Sequence, residues 1–547
     1  MNQSIFNSVK CFKKSVCKIT CQNTIILVSE PYSTSEEEMV AGSGFFVHPR
    51  YLYMDEKIDN EKCYYAVTNA HVIEGASSRR VSIEFPYLGT TNFFGETVVV
   101  NQHLDFAIIR FRLRWNESVE QQLGVSFYDI FDSIPLLKPN AKVLNTAKSA
   151  FKEVCTIGFP LDSDDNHISV GKISGRAEHY LQLNQSISSG NSGGPLLSER
   201  GEVVGIIAAN FGEAAEGLSL AIPWSSVSTL LSQYKEEEDF ILYPPTLGIA
   251  SQRLVHAYAK CVLKDSSIKG ALVKDVFEKS PLHKKLKKGD IVVKIGDARE
   301  SFEVDSHGLV STIWQTDKVP FHSLQFLVLL DRQTCFIEYY RKGKVKRIDF
   351  ELSTTQDVGL VDTVMAAIQE VDSCLMAGLV FTDLTANHLE EMEGGDADPS
   401  IVGFLSKSYM AKRAVILSEM KQPCSVLQQG YDTSLKRMTI IKALGKTDVA
   451  SVEDLRTAFE RVIKKYAEDP TNEKKRFAMM HTHDDTFIID LQLAFQLEPL
   501  LKSTPGYPEE LSLLEPHLIT YASALSKHPR PRSQSLDDAP RKRRRRR

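Results

Sequence analysis

Three residues of this chain, His71, Asp105 and Ser192, have the side-chain types that nucleophilic catalysis by a hydroxyl group requires. A serine hydroxyl is a weak nucleophile and needs a neighbouring base, usually a histidine that a carboxylate orients. Ser192 lies in "SSGNSGG", His71 in "TNAHV" and Asp105 in "NQHLDF". Each motif alone has a simpler interpretation, since "SGNSGG" is typical of a surface turn and an isolated histidine is more often structural. The three motifs together favour catalysis.

Strands must hold these residues at their ends if the side chains are to meet in one cleft. Residues 15–235 contain short β-branched and aromatic runs bounded by Gly, Pro, Asn and Asp, which predicts an all-β barrel or sandwich. His71 follows one apolar run and Asp105 precedes another, so both are expected at strand ends. The chain order His, Asp, Ser is that of the chymotrypsin-like double barrel.

The rest of the chain predicts further domains, because strand, helix and hairpin patterns recur after a closing helix at 225–239. One hairpin is expected to turn at Lys342-Gly343-Lys344. The predicted organisation is a protease domain at 1–240, two mixed modules at 241–356 and 357–500, an extension at 501–525 and a disordered basic tail at 526–547.

These motifs resemble the HtrA/Deg family of serine proteases. "TNAHV", "LDFAIIRF", "SSGNSGGPLL" and "LSLAIPWSSV" are similar to its protease domain, and "TLGI" with "GALVKDVFEKSPLHKKLKKGDIVVKIGD" is similar to its first PDZ domain. "MAGLVFTDLTANHLE" and "STPGYPEELSLLEPHL" resemble the divergent second PDZ domain and the C-terminal extension of the plant-type branch. The resemblance implies a chymotrypsin-like double β-barrel followed by two α+β PDZ-like domains, in a trimer-based homo-oligomer. It also implies an ATP-independent endopeptidase for unfolded or damaged proteins, with no cofactor or metal.

The resemblance also implies a role for each candidate site residue. Ser192 would be the nucleophile, His71 the general base and Asp105 the group that orients it. The backbone N–H groups of Gly190 and Ser192 would form the oxyanion hole, and a Cβ atom at position 190 would obstruct it. Two serines precede Gly190 where family members often have Asn-Pro, so we expect this loop to be less rigid before substrate binds.

The residues around the nucleophile predict substrate preference. In chymotrypsin-like enzymes the residue six before the serine decides for or against basic side chains, and here it is Ser186, not an aspartate. The resemblance to the family implies that Ile187 fills the floor of the pocket. An apolar wall is expected from Ile206, Ile207 and Ala208. Cleavage is therefore predicted after small or medium aliphatic residues such as Val, Ala or Leu, and not after Lys or Arg.

Peptide binding is predicted in module 241–356. PDZ-like domains bind C-terminal carboxylates or extended peptides by adding a strand to a sheet edge. Leu247, Gly248 and Ile249 would supply backbone amides for the carboxylate, although three such common residues are a weak signal without their context. No comparable loop is readable in module 357–500, which is expected to serve assembly or to occupy the groove of the first module.

Charge and cysteine content bound the other function classes. The chain of 547 residues has a net charge of −5, and removing the seven cations of 541–547 leaves −12, which argues against nucleic-acid binding by the globular part. The tail is interpreted as a nuclear import signal, a contact to nucleic acid or another anionic surface, or a solvated tail, with import favoured. Nine cysteines without metal-ligand spacing indicate free thiols in a reducing compartment.

Several weaker patterns complete the expectations. No apolar run reaches the ~18 residues of a membrane span, and the N-terminus lacks an apolar signal core, so an intracellular protein, cytoplasmic or nuclear, is expected. "HTHDD" at 481–485 is interpreted as a solvated hairpin turn and not as a metal site. Two other functions stay open: a latent protease acting mainly as a peptide-binding chaperone or scaffold, and a processing protease for a few substrates directed by the tail.

Overall fold

The barrel that carries His71 and Asp105 begins the described chain. The computed structural model describes all residues except 1–8, 27–33, 75–79, 90, 143–151, 178, 211–218, 233, 235–239, 278, 313–317, 328–333, 355–363, 365–368, 370, 392–412, 422–434, 484, 505–506 and 528–547. The chain forms two compact units, the first of Met1–Val371, Thr385–Gly394 and Gly403–Arg413, the second of Asp372–Leu384, Gly395–Val402 and Ala414–Arg547.

The first barrel is formed from the N-terminal strands. These strands are β1 (Val16–Ile26), β2 (Thr34–Phe46), β3 (Lys57–Ile58), β4 (Glu61–Lys62), β5 (Tyr64–Thr68), β6 (Arg80–Glu84), β7 (Asn92–Asn101) and β8 (Phe106–Phe111). Six of them close the barrel in the order β1-β2-β5-β8-β7-β6. Helices α1 (Glu117–Leu123) and α2 (Phe127–Asp132) follow. Phe131 of α2 packs its ring on Phe46 at 5.4 Å between centroids, so the aromatic core of the barrel includes a residue outside its strands.

The second barrel carries Ser192. Its strands are β9 (Lys138–Pro139), β10 (Glu153–Gly158), β11 (His167–Ala177), β12 (Tyr180–Leu183), β13 (Pro195–Ser198), β14 (Glu202–Asn210) and β15 (Ser219–Pro223). They run in the order β13-β10-β11-β12-β15-β14-β9, and pairing of β13 with β14 closes six of them into a ring. Helix α3 (Trp224–Leu231) inserts Trp224 beside Phe45, in a buried cluster that contains residues of both barrels. The predicted double β-barrel is therefore confirmed.

The same unit continues into a mixed module with its own core. Its elements are β16 (Pro245–Thr246), β17 (Ile249–Arg253), α4 (His256–Cys261), β18 (Ala271–Val276), β19 (Ile291–Asp297), β20 (Ser301–Glu303), β21 (Leu309–Val310), β22 (Val319–Pro320), α5 (Leu324–Leu327), β23 (Cys335–Arg341), β24 (Lys344–Phe350) and β25 (Ser353–Thr354), with α6 (Ala386–Glu391) later in the chain. The main sheet has the order β17-β18-β19-β23-β24. The predicted hairpin turn lies at Lys342 and Gly343, which both have positive φ, as a two-residue turn requires.

The described part of the second unit contains two four-stranded sheets and three α-helices. Its elements are β26 (Ser373–Met376), β27 (Leu379–Asp383), β28 (Val415–Met420), β29 (Thr439–Ile441), β30 (Ala443–Leu444), β31 (Thr447–Asp448), α7 (Val452–Glu468), β32 (Phe477–His481), β33 (Thr486–Asp490), α8 (Leu491–Lys502) and α9 (Leu518–Lys527). "HTHDD" joins β32 to β33, as predicted. The predicted extension 501–525 packs within this core, where Tyr521 stacks on Phe495 with 4.2 Å between ring centroids.

Short 3-10 helices complete the described elements. They lie at Lys10–Ser15, Pro49–Tyr51, Pro86–Leu88, Leu113–Trp115, Pro160–Asp162, Phe321–Ser323, Glu473–Lys475, Glu509–Leu511 and Glu515–His517. Across the described ranges, no helix combines the length and apolar character needed to span a membrane. The predicted basic tail, 526–547, lies outside the described residues after Lys527.

Candidate active site

Pairing of β5 with β8 brings His71 and Asp105 together at one end of the first barrel. His71 lies three residues beyond the end of β5, Asp105 lies just before β8, and the two strands pair with Thr68 opposite Ala107. The His71 ring Nδ1 lies 2.8 Å from Asp105 Oδ2, and the His71 backbone N–H donates to Asp105 Oδ1 at 3.0 Å. With Nδ1 donating to the carboxylate, Nε2 is left as the nitrogen that can take a proton.

The Asp105 carboxylate also changes the basicity of the imidazole. Burial lowers the pKa of His71, while the hydrogen bond and the negative charge of Asp105, with the charge of Glu74, raise it. The net result is a pKa above the ordinary value of 6.5. A raised pKa makes the imidazole a stronger base, as removal of a hydroxyl proton requires.

The pH dependence of hydrolysis follows from this shift. Only neutral His71 can accept the proton, so kcat/KM is expected to rise with pH through the raised pKa, with the midpoint of the acid limb above 6.5. The measurement is kcat/KM for a peptide substrate between about pH 5 and pH 9. An acid limb centred below 6.5 would contradict the coupling of His71 to Asp105.

Ser192 lies in the loop between β12 and β13, and its hydroxyl bonds to a backbone carbonyl and not to the imidazole. The Oγ atom donates to the Ala208 carbonyl at 3.1 Å. No hydrogen bond joins Ser192 to His71, both of which lie in the described part of the chain. Catalytic hydrogen bonds are often absent before substrate binds. In this conformation, transfer of a proton to His71 therefore requires a rotation of the Ser192 side chain.

The backbone around Ser192 presents two unused donors. The N–H groups of Gly190 and Ser192 have no hydrogen-bond partner among the described residues. Gly190 has a φ of +88°, and a Cβ atom there would lie 2.1 Å from the Phe159 carbonyl oxygen. Only glycine fits this backbone, and the two free N–H groups suit the negative oxygen of a tetrahedral intermediate.

Comparison with known proteins identifies the family of this site. A family model described as "Trypsin-like peptidase domain" matches residues 42–206, which include His71, Asp105 and Ser192. "Protease Do-like 2, chloroplastic" of Arabidopsis thaliana is 24% identical over 400 residues, covering 70% of this chain and 57% of that protein. "Serine protease Do-like HtrA" of Lactococcus lactis subsp. lactis (strain IL1403) is 27% identical over 308 residues, covering 54% of this chain and 68% of that protein. Residues 42–206 are therefore a trypsin-like peptidase domain, and the chain is similar to proteases named Do-like and HtrA.

The similarity to these proteins covers only part of the chains compared. The chain spans little more than half the length of the plant relative, 57%. A solved structure, "HtrA-type protease AlgW with decapeptide", is 19% identical with a TM-score of 0.44, covering 64% of this chain and 98% of that chain. A structural likeness of this size adds no argument to the fold described above.

The residues predicted to line the specificity pocket do not lie together in one pocket. Ser186 is exposed, and Ile187 is buried in the core of the second barrel together with Ile207. Ile206 and Ala208 belong to the other buried cluster, beside Trp224. Neighbouring residues of a strand point to opposite faces, so Ile206, Ile207 and Ala208 do not form the single wall that the sequence predicted. The predicted substrate preference stays a prediction.

The predicted carboxylate loop of module 241–356 already uses two of its amides. The Leu247 N–H donates to Gln325 Oε1 at 3.0 Å, and the Gly248 N–H donates to Thr246 Oγ1 at 3.1 Å. Ile249 starts the edge strand β17, opposite Val276 of β18. A bound carboxylate would have to displace both side-chain acceptors in this conformation, and the role of Leu247, Gly248 and Ile249 in carboxylate binding stays a prediction.

The site also contains residues that the motifs did not single out. The Asn69 side chain donates through Nδ2 to the Asp105 carbonyl oxygen at 2.6 Å, while Asp105 adopts a φ of +55°. Asn69 is fully buried and therefore helps to hold this uncommon backbone conformation. A second such residue is Ser43, a buried serine between two glycines in "AGSGFF". Their only sequence signal is a polar residue inside an apolar run.

Proposed function

We propose that this chain is an ATP-independent serine endopeptidase of the HtrA/Deg type that cleaves unfolded or damaged polypeptides, with Ser192 as nucleophile, His71 as general base and Asp105 as the carboxylate that orients the base. The observation that carries the proposal is the 2.8 Å contact between His71 Nδ1 and Asp105, on a barrel end whose partner barrel presents Ser192 beside two free backbone N–H groups. No P-loop is evident in the sequence, which argues against coupling to ATP hydrolysis by this chain.

The proposed reaction has two stages, formation of an acyl-enzyme and its hydrolysis by water. Ser192 Oγ attacks the scissile carbonyl carbon as its proton passes to His71 Nε2, and the imidazolium that forms is stabilised by Asp105. The carbonyl oxygen becomes an oxyanion and accepts hydrogen bonds from the Gly190 and Ser192 N–H groups. His71 then gives the proton to the leaving amine, which leaves an acyl-enzyme. A water molecule, activated by the same imidazole, hydrolyses the ester and restores Ser192.

The hydrogen bond made by the Ser192 hydroxyl favours a second candidate function. This candidate is a latent protease that acts mainly as a peptide-binding chaperone or scaffold. The bond of the Ser192 hydroxyl to the Ala208 carbonyl replaces a bond to His71. Ile206 and Ile207 have no exposed surface that a substrate side chain could contact. In this candidate function, a ligand or an oligomer contact reorders residues 168–176, which lie in β11, and the loop at 186–190 before cleavage can begin.

Degradation of casein without ATP by the purified chain tests the proposal. Soluble fragments that accumulate with time, and that are absent with the Ser192→Ala variant, are the expected result. Absence of fragments from both proteins would favour the latent chaperone. The assay would then be repeated with C-terminal peptides added, because onset of cleavage on peptide addition separates a latent enzyme from an inactive scaffold.

We also propose a preference for small or medium aliphatic residues before the cleaved bond. Ser186 supplies no negative charge for Lys or Arg, and the residue that follows it, Ile187, is apolar. Peptides with Val or Ala at this position are expected to give kcat/KM values at least ~10-fold above the matched arginyl peptide. Sequencing of casein fragments provides an independent measurement. Efficient arginyl cleavage that disappears in Ser192→Ala would contradict the preference.

A further inference from the structure

Ser43 lies on β2, has no exposed surface and bonds to residues of both barrels. Its N–H donates to the Ser192 carbonyl at 2.8 Å, and its hydroxyl donates to the Gly190 carbonyl at 2.6 Å. The same hydroxyl accepts from the Phe159 N–H at 3.0 Å. Its carbonyl oxygen accepts from Thr68 Oγ1 at 2.7 Å. All the hydrogen-bonding groups of Ser43 are therefore engaged.

Two of these bonds hold the backbone that carries the oxyanion donors. The N–H group of a residue lies in the peptide plane before that residue, and the plane after it is joined to the first through the φ and ψ angles of the residue. At Gly190 the preceding plane is held by the Leu161 N–H, which donates to the Ser189 carbonyl at 2.7 Å, and the following plane is held by the Ser43 hydroxyl.

The planes around Ser192 are held in the same manner. The preceding plane is held by the Gly194 N–H, which donates to the Asn191 carbonyl at 3.0 Å, and the following plane by the Ser43 N–H. Ser43 therefore holds the plane that follows each donor residue. The Asn191 N–H, which donates to the Ser188 carbonyl at 3.3 Å, and the Gly193 N–H, which donates to the Ile207 carbonyl at 2.9 Å, hold the same two planes. Among these bonds, the Ser43 hydroxyl is the single side-chain group.

Ser43 also connects these donors to the base. Thr68, which donates to its carbonyl, lies three residues before His71 at the end of β5. The backbone around Ser43 is closely packed. A Cβ atom on Gly193 would lie 2.1 Å from the Ser43 carbonyl oxygen, and one on Gly158 would lie 2.9 Å from the Ser43 Oγ. A shift of Ser43 would therefore move the nucleophile loop relative to His71.

We propose that Ser43 is a positioning residue that sets the oxyanion hole relative to the His71–Asp105 pair. The inference rests on the proposed function. Ser43 touches no reacting atom, and its role acts through the carbonyl groups of Gly190 and Ser192. Without the hydroxyl, the Gly190 carbonyl and the Phe159 N–H lose a buried partner, which disfavours this loop conformation.

The test is Ser43→Ala in the full chain, with kcat, KM and the affinity for a peptide boronate measured together. Loss of a whole oxyanion donor costs about 10²–10³ in kcat, so loosening one is expected to cost about 10–100-fold. KM is expected to stay within about twofold, since ground-state contacts are unchanged. Boronate affinity should weaken by the same factor as kcat, because the boronate forms a tetrahedral anion at Ser192. Ser43→Thr keeps the hydroxyl and should restore most of the activity.

Ser418→Ala is the matched control, because Ser418 is fully buried in the second unit and its hydroxyl donates to the Val380 carbonyl at 3.3 Å. This variant should leave kcat unchanged. If Ser43→Ala does not fold, Ser43→Cys replaces it, since a thiol is a weaker donor. Full kcat in a folded Ser43→Ala or Ser43→Cys variant overturns the inference, as does a loss confined to KM.

Hydrogen exchange of the amides of residues 186–194, measured without substrate, separates this inference from the proposed function. Ser43→Ala is expected to speed exchange there about 10-fold, with no change in β30–β33. Unchanged exchange overturns the role of Ser43 whatever the activity. A parent chain that hydrolyses nothing and binds no boronate overturns the proposed protease, while faster exchange in its Ser43→Ala variant still supports the placement of the loop by Ser43.

Discussion

Ser192→Ala is expected to lower kcat for peptide hydrolysis about 10⁶-fold. The substitution removes the nucleophile, and the oxyanion donors alone leave only a small residual rate. The fold should survive, because the Ser192 hydroxyl makes one hydrogen bond, to the Ala208 carbonyl. Loss of such a bond changes the free energy of unfolding by about 1 kcal/mol. The measurement is kcat with a peptide substrate, alongside the thermal unfolding midpoint.

Ser189→Ala provides the matched control. Ser189 is an exposed serine of the same loop, and its hydroxyl makes no hydrogen bond within the described part of the chain. Its loss should leave kcat within about twofold of the parent value. Hydrolysis that persists in Ser192→Ala at more than a trace level would assign the reaction to another nucleophile and remove the basis of the proposed mechanism.

Asp105→Asn is expected to lower kcat about 10⁴-fold without unfolding the barrel. In the parent chain, the Asp105 carboxylate accepts from the His71 backbone N–H through Oδ1 and contacts the His71 ring Nδ1 through Oδ2. An asparagine that keeps its oxygen on the backbone N–H turns its NH₂ group toward Nδ1. The imidazole must then accept at Nδ1 and carry its proton on Nε2, where it can no longer take the proton of Ser192.

The pH profile gives this prediction a second readout. Loss of the negative charge should remove the upward shift in the pKa of His71, so the acid limb of any residual activity should move to lower pH. Asp349→Asn is the control, since Asp349 is an exposed carboxylate that pairs with Arg347 outside both barrels. A loss below ~10-fold in Asp105→Asn would show that Asp105 does not orient the base.

The sequence by itself determined the types of the candidate catalytic residues, their order and the strands next to them. Apolar runs next to His71 and Asp105 predicted strand ends, and the pairing of β5 with β8 confirms that placement. The turn at Lys342 and Gly343 was also readable, since glycine there permits positive φ. These features depend on near neighbours in the chain, so local composition and periodicity are sufficient to indicate them.

The tertiary structure alone decided where the polar groups of the site find partners. Ser192 bonds to the Ala208 carbonyl, and the Leu247 N–H bonds to Gln325, a residue far along the chain. Ser43 joins the two barrels through carbonyl groups that the sequence does not distinguish from any others. Each buried polar group must find a partner, but which partner depends on how separate strands pack. The motifs therefore predicted which side chains carry the chemistry, and packing of the two barrels set how their hydrogen bonds are arranged.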